Sequence, residues 1–386
     1  MPPTEPPSTP APTSAGHPRI LVDLSVAPPG GAATYADGFA AGMAAWGDPS
    51  LRQVVVVVDA GWAEEHRERV EGVRATGATV VVQAFPPPGS WAARLGRGRT
   101  LKRIARQQGV DVAFFPRDVG PRLPIPVVVL VNNLYAWRRY GTGGAIGGRV
   151  PAFLLRVMAR RSVARAAAVL AVSRSMADAV EGAETVAIVH HGCLHPEHLR
   201  PVDPAPDGGT ERPLVVTVVG NLIENKGTEV VLRGVAGASG GPWDLRVYGN
   251  RMDPAYADRV EALSFEVFGR SVLLGPAYGP DLVAAYQHAD VVVVGGTFES
   301  FCYPLVEAMR AGAVVVAPAS DLVSELCGDV AVTYREGDAA SLARALELAA
   351  AERQVRSARG VERSREYLWS ATVERTLALV RAAVPA

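Results

Sequence analysis

Short apolar runs of strand length alternate with segments of helical periodicity along nearly the whole chain, and the alternation restarts once. Arg19 to Ser25, Gln53 to Val58, Ala78 to Val82, Val110 to Phe115, Val127 to Val131, Ala167 to Val172 and Thr185 to Val189 read as strands. Thr34 to Ala45, Ala63 to Ala75, Ser90 to Gln108 and Val150 to Ala168 read as the helices between them, with Tyr35, Phe39 and Met43 on one stripe at spacings of four. A second series follows. Leu214 to Val219, Leu245 to Tyr248, Val272 to Leu274, Val291 to Val294, Val314 to Ala317 and Val330 to Thr333 are strand-like. Thr228 to Val235, Pro254 to Phe268, Pro280 to His288, Ala339 to Ala350, Ala358 to Tyr367 and Ala371 to Val384 are helix-like. Crossovers of this length return the chain to the same end of a sheet, so the strands run parallel and helices cover both faces. Between the series, Pro196, Pro201, Pro204, Pro206, Gly208 and Gly209 break the pattern. The expectation is two doubly wound Rossmann-like α/β domains, residues 19–195 and 213–362, joined by a linker at 196–212 and facing across a cleft.

Composition narrows the function classes. Thirty-nine basic and 39 acidic residues leave no net charge, so nothing favours non-specific nucleic-acid binding. Cys193, Cys302 and Cys327 are widely spaced and match neither a zinc pattern nor a disulfide framework, which suits a reducing cytoplasm. No apolar run reaches the length of a membrane span. Residues 1–18 are rich in Pro, Ser and Thr, lack the features of a signal peptide and read as a disordered tail.

Ligands of such sheets sit at the carboxyl ends of strands, where helix N-termini point. Three stretches fall there. Pro28-Pro29-Gly30-Gly31 turns from the first strand into a helix; its backbone N–H groups can cradle a phosphate or sugar, or simply make a tight connection. Gly220-Asn-Leu-Ile-Glu-Asn-Lys226-Gly227 follows the first strand of the second series, with Lys226 either a diphosphate ligand or a surface lysine. It contains no P-loop, so no NTPase is read. Gly295-Gly-Thr-Phe-Glu299-Ser-Phe-Cys-Tyr-Pro-Leu-Val-Glu307 places two carboxylates eight positions apart around a strand-to-helix turn. Carboxylates do not bind phosphate, but vicinal hydroxyls of a ribose and of a hexose are natural bidentate partners. The plain alternative is a pair of caps or surface charges. His190, His191, His195 and His198 crowd one turn. They read as solvated hinge residues, with His191 alternatively facing the cleft and metal binding a third reading.

These residues resemble a known family. Glu299 to Glu307 with Pro304, Ala308-Met309 and Gly312 resembles the Glu-x7-Glu signature of family 4 retaining glycosyltransferases. Gly220 to Gly227 is similar to their Gly-Arg/Asn-Leu-x-x-x-Lys-Gly/Asn element, Val189 to Gly192 to the strand and turn before their hinge, and Arg365 to Ser370 to their late aromatic region. The resemblance implies a GT-B fold, with residues 363–386 packing back toward the N-terminal, acceptor-side domain. By resemblance, Glu299 meets hydroxyls of the donor sugar and Glu307 holds the donor ribose. Lys226, with Asn221 beside it, meets the diphosphate. Phe301, Cys302 and Tyr303 offer backbone contacts, Gly30 and Gly31 approach the diphosphate, and Tyr278 stacks near the nucleobase.

Three departures follow. Asn221 stands where many relatives have arginine, Gly295-Gly296 replaces Pro-Ser, and Asn132-Asn133 replaces a His-Asp pair and supplies no acid or base. Asn132, Asn133, Tyr135, Trp137, Tyr140, His191 and the Gly-rich stretch 141–148 are the candidate acceptor surface. The expected function is metal-independent, cofactor-free transfer of a hexosyl-type group, with retention, from a nucleoside-diphosphate sugar to a hydroxyl acceptor such as a natural product or an envelope glycan. The alternatives are a sugar-nucleotide 2-epimerase and a catalytically idle nucleotide-sugar-binding protein of the same fold.

Overall fold

The structure, a computed structural model, describes residues 17–25, 31–85, 91–138, 152–193, 199, 212–239 and 241–385, with backbone alone at 31, 32, 91–95 and 152. Its first sheet is built from β1 (Ile20–Asp23), β2 (Val54–Asp59), β3 (Thr79–Gln83), β4 (Val112–Phe115), β5 (Val127–Val131), β6 (Ala168–Ala171) and β7 (Val186–Ile188). Its second holds β8 (Leu214–Val219), β9 (Trp243–Tyr248), β10 (Leu273–Gly275), β11 (Val291–Val293), β12 (Val314–Pro318) and β13 (Val332–Tyr334). The first runs in the order β3-β2-β1-β4-β5-β6-β7 and the second β10-β9-β8-β11-β12-β13. Neighbouring strands are parallel throughout. Strands covered on both faces read as unbroken apolar runs, and β1, β4 and β11 are buried along their whole length. Strand order reverses between β1 and β4 and between β8 and β11, which opens a crevice at the carboxyl end of each sheet.

The expected elements form with shifted ends. The segment Ala63 to Ala75 is two helices, Ala60–Glu65 and Arg67–Ala75, because His66 leaves helical geometry at φ −115°, ψ 43°. The helix expected over Val150 to Ala168 covers Ala152–Val163, and the next residues turn into β6. The last two helices start earlier than the periodicity suggests, at Arg353–Ser364 and Trp369–Ala382. Two short helices absent from the sequence reading, Arg174–Ala179 and Asp321–Cys327, are capped by Ser173 and Ser320, whose hydroxyls accept from Met176 and Val323 N–H. The tail before residue 17 and most of the linker lie outside the described residues.

One apolar cluster runs through both domains, from Phe39 and Phe114 to Leu305, Trp369 and Leu377. The Trp369–Ala382 helix lies against the Gly31–Trp46 helix of the first domain. Trp369 fills space that three glycines leave open. A Cβ on Gly38 would overlap its ring, one on Gly42 would lie 2.5 Å from its carbonyl oxygen, and one on Gly192 would overlap its backbone nitrogen. Hydrogen bonds fix this return: Cys193 N–H to Tyr367 O at 2.9 Å and Thr372 hydroxyl to His190 O at 2.8 Å. Across the same seam, Ser173 donates to Ser300 O at 2.7 Å, and Glu325 accepts from Arg174 N–H at 2.9 Å and pairs with His190 at 2.8 Å.

Gly42→Ala and Gly192→Ala are each expected to cost about 1–3 kcal/mol by overpacking against Trp369. Gly96→Ala, where an added Cβ meets nothing within 4 Å inside the Trp91–Gln107 helix, is expected to gain about 0.5–1 kcal/mol. Urea unfolding of the three variants reads both signs.

Candidate active site

Two loops at the β8/β11 reversal make one wall of the cleft. The chain leaves β8 at Gly220, makes a tight turn over Glu224–Lys226 and enters the Thr228–Gly237 helix through Gly227, at φ +61°. The chain leaves β11 through Gly295 and Gly296 and enters the Tyr303–Ala311 helix. The loops cross backbone against backbone. A Cβ on Gly295 would overlap Lys226 O, one on Gly296 would overlap Asn225 O and one on Gly227 would overlap Gly295 O. This contact explains the double glycine that departs from the family pattern: no side chain fits there.

The crossing brings Lys226 and Glu299 together as an ion pair. Burial works most strongly against the ammonium charge, but the groups around it, Glu299 foremost, together hold Lys226 above its ordinary value. At the start of the Tyr303–Ala311 helix, Tyr303 N–H has no intrahelical acceptor, Pro304 has no N–H and Leu305 N–H donates to Cys302 O at 3.0 Å; this is the positive end of the helix dipole. Cys302 caps this helix at φ +62°, the left-handed region that favours glycine. One turn in, Glu307 is only 2 % exposed. Its Oε1 is buried without a partner, and burial pushes the carboxyl up to about 7 against the opposing effect of the Tyr286 hydroxyl.

A cavity of about 690 Å³ joins this wall to the carboxyl end of the first sheet. Glu299, Lys226, Asn221, Glu307, Phe301, Cys302, Tyr303 and Tyr278 line it from the second domain, and Asn132, Asn133, Tyr135 and His191 from the first. Asn221 accepts from Asn250 at 3.1 Å and Asn250 meets the Tyr278 hydroxyl at 2.8 Å, a polar chain linking the ends of β8, β9 and β10; Tyr278 is 60 % exposed at the rim. Tyr135 spans the cleft: its hydroxyl accepts from Asn225 at 2.8 Å and its ring lies 4.8 Å from that of Phe298. Asn132 donates to Pro116 O at 3.2 Å, and Asn133 accepts from Tyr135 N–H at 3.2 Å. Gly31 opens the Gly31–Trp46 helix; Gly30, Tyr140 and residues 141–148 lie outside the described residues.

His191 departs from its first reading as a solvated hinge residue and takes its alternative place, on the cavity wall. His191 is 4 % exposed, stacked between Tyr303 at 5.4 Å and Trp369 at 5.6 Å. Burial and then His190 push it down to about 3, so it is neutral at the back of the cavity. His190 serves the domain seam through Glu325, while His195 and His198 are outside the described residues. Among the described residues no cluster of three or more His, Cys, Asp or Glu could hold a metal ion. No helix there is long and apolar enough to cross a membrane. Trp137, taken from sequence as acceptor surface, is interior and donates through Nε1 to Asp118 at 2.9 Å.

Asp118 and Arg117 are the residues that sequence reasoning missed. They follow β4 directly and line the cavity beside Asn132 and Asn133. The signal was present, since an apolar run ending in Pro116-Arg117-Asp118 places both at the carboxyl end of a switch-point strand. Burial lifts Asp118 to about 6 against hydrogen bonds from Trp137 and backbone N–H groups.

Two outcomes test this geometry. Because the folded-state pKa of Glu307 is raised, the native protein binds more protons than the unfolded chain between about pH 4.5 and 7. This group's contribution to stability therefore falls as pH rises through that window, by about 3 kcal/mol in full. Glu307→Gln removes the loss and should be more stable than wild type at pH 8 and little different at pH 4.5, as read from melts across pH. Cys302→Gly should hold or raise stability, whereas Cys302→Val should lose roughly 1–2 kcal/mol by forcing a β-branched side chain to positive φ.

Comparison with known proteins agrees with the architecture. The family model described as Glycosyltransferase Family 4 matches residues 29–193, and that described as Glycosyl transferases group 1 matches residues 213–351. Among solved structures, sucrose-phosphate synthase from Thermosynechococcus elongatus is similar at TM-score 0.71 and 16% identity, covering 94% of this chain and 98% of that one. Anabaena HepE in complex with UDP and glucose is similar at TM-score 0.68 and 16% identity, covering 94% and 99%. A glycosyltransferase from Rickettsia africae is similar at 0.64 and 11%, covering 94% and 98%. A search of curated proteins finds no significant match. With one family domain on each side of the cleft and the same two-sheet architecture, the chain belongs to the family 4, group 1 glycosyltransferases of GT-B fold.

Proposed function

We propose that the protein moves a hexosyl-type group from a nucleoside-diphosphate sugar to a hydroxyl acceptor with retention of configuration. The observation that carries this reading is the convergence of Lys226, Glu299, Glu307 and the start of the Tyr303–Ala311 helix in one cavity between the two sheets. In this reading the diphosphate lies against Lys226 and the helix N-terminus, where full and partial positive charges add. Glu307, with an unpartnered oxygen, accepts hydrogen bonds from the ribose hydroxyls, which favours its ionised form. Glu299 accepts from hydroxyls of the transferred sugar.

In the reaction the bond from the anomeric carbon to the leaving phosphate oxygen breaks, and a bond from that carbon to the acceptor oxygen forms on the same face. The acceptor's proton passes to the departing phosphate. The protein contributes positioning and relief of charge on the leaving group, and no metal or further cofactor takes part. The three buried cysteines suit a reducing cytoplasm. UDP is the first nucleotide to test, because HepE, a protein of similar fold, is described with UDP and glucose.

A thermal-shift screen of UDP, GDP and their common sugars should raise Tm for one nucleotide by mass action. Glu307→Ala should weaken that binding tenfold or more. Glu299→Ala should keep affinity within a few-fold and lower kcat by about a hundredfold, and Lys226→Ala should damage both. Donor affinity should also tighten as pH rises toward about 7, and Glu307→Gln should flatten that dependence. Wild-type affinity and rate in all three alanine variants would sink the site assignment. An inverted anomeric product by NMR would sink retention. Conversion of the nucleotide sugar without acceptor would point to an epimerase, and tight donor binding with no product from any acceptor to an idle protein.

A further inference from the structure

The first domain's share of the cavity holds a charge arrangement that donor binding leaves unused. Asp23 ends β1 and is fully buried. Its carboxylate accepts from Ser25 N–H at 3.1 Å and from the Ser25 hydroxyl, and both Arg97 and Arg117 reach it. The two guanidiniums are not equivalent. Arg97 lies over the Phe85 ring at 4.3 Å, feels Asp59 as a second acid and is not on the cavity wall. Arg117 lines the cavity from the carboxyl end of β4. Its guanidinium lies over the Phe115 ring at 5.6 Å, Asp23 is that group's one hydrogen-bond acceptor among the described residues, and its Nε, like that of Arg97, is buried without a partner. The adjacent carboxylate does not complete it, because Asp118 is engaged by Trp137 and backbone N–H groups.

One carboxylate is therefore divided between two cations, and the less compensated cation faces the cavity. Burial pushes the Arg117 guanidinium down to about 9, so a second anion beside it would recover solvation lost there. The proposed diphosphate position is on the other wall, at Lys226 and the Tyr303 helix start.

We infer that Arg117 marks an acceptor subsite for an anionic group, so that the hydroxyl to be glycosylated belongs to a molecule carrying a phosphate or carboxylate. A guanidinium fork matches both groups in bidentate geometry. Calling this ligand the acceptor rests on the transferase reading; the anion site itself does not.

The test titrates the full-length protein with inorganic phosphate and, separately, acetate, each against chloride at equal ionic strength. Thermal shift is read with and without saturating nucleoside diphosphate. A phosphate or carboxylate preference shows which anion the subsite takes. Saturable stabilisation by one of them is expected, at least tenfold weaker in Arg117→Gln, within about threefold in Arg117→Lys and within about twofold in Lys226→Gln. Nucleoside-diphosphate affinity should stay within about twofold in Arg117→Gln. Should that variant not fold, R117Q paired with D23N removes both charges and carries the same expectation. Equal anion affinity in wild type and Arg117→Gln overturns the inference, as does a tenfold loss of nucleoside-diphosphate affinity in Arg117→Gln, which would assign Arg117 to the donor. Failure of every nucleoside diphosphate to bind wild type would instead overturn the transferase reading and leave the anion result to stand or fall alone. In turnover, acceptors bearing phosphate or carboxylate should exceed neutral sugars at least tenfold in kcat/KM; equal use of neutral acceptors also overturns the inference.

Discussion

Trp369 packs where side chains on Gly38, Gly42 and Gly192 would otherwise stand, and the relation between the two sheets depends on that contact. It ties the last helix, which follows the second sheet in sequence, to the first helix of the first domain. Because the indole also stacks on His191, and His191 on Tyr303, the same packed column ends at the start of the helix that carries Glu307. Position is thus passed from the domain seam to the cavity through rings in van der Waals contact. The polar bonds around the seam, Ser173 to Ser300 and Glu325 to His190 and Arg174, fix register on a surface that the apolar column already holds.

Within the cavity, charge is placed at a cost to the fold. A carboxyl buried without a full set of partners is unfavourable when ionised, and Glu307 is such a group. Lys226 and Glu299 limit their own cost by pairing. The left-handed Cys302 adds backbone strain at the same helix start. Such features suit a ligand-binding wall: groups held in place, incompletely satisfied by the protein and close to the positive end of a helix dipole. The fold tolerates them because both sheets bury long valine-rich strands on either side.

Much of this was legible before any coordinates. The apolar runs were strands because two-sided burial leaves no polar alternation to obscure them. The turns after β8 and β11 were recognisable from glycine, lysine and paired glutamates at the ends of those runs. Short helices were not, since six or seven residues carry too little periodicity, although the serine caps at Ser173 and Ser320 were available as signals. His191 was read first as a solvated hinge residue, with the cleft as its alternative, because a histidine run after a strand carries no mark of burial; its surroundings come from Tyr303 and Trp369, which are far away in sequence. Asp118 and Arg117 escaped notice for a related reason. Neither belongs to a spaced pattern, and their neighbours Asp23 and Trp137 lie on other elements.

Local chemistry in the sequence determined the parallel α/β class, the two-domain division and the loops that would line the cavity, because period, glycine placement and strand ends are properties of contiguous residues. Only the tertiary structure decided which of those groups meet. The pairing of Lys226 with Glu299, the burial that lifts Glu307, the neutral His191 and the shared carboxylate of Asp23 all depend on residues brought together from separate strands and helices. Electrostatic environment is set by distance and desolvation in space, and neither is encoded by spacing along the chain.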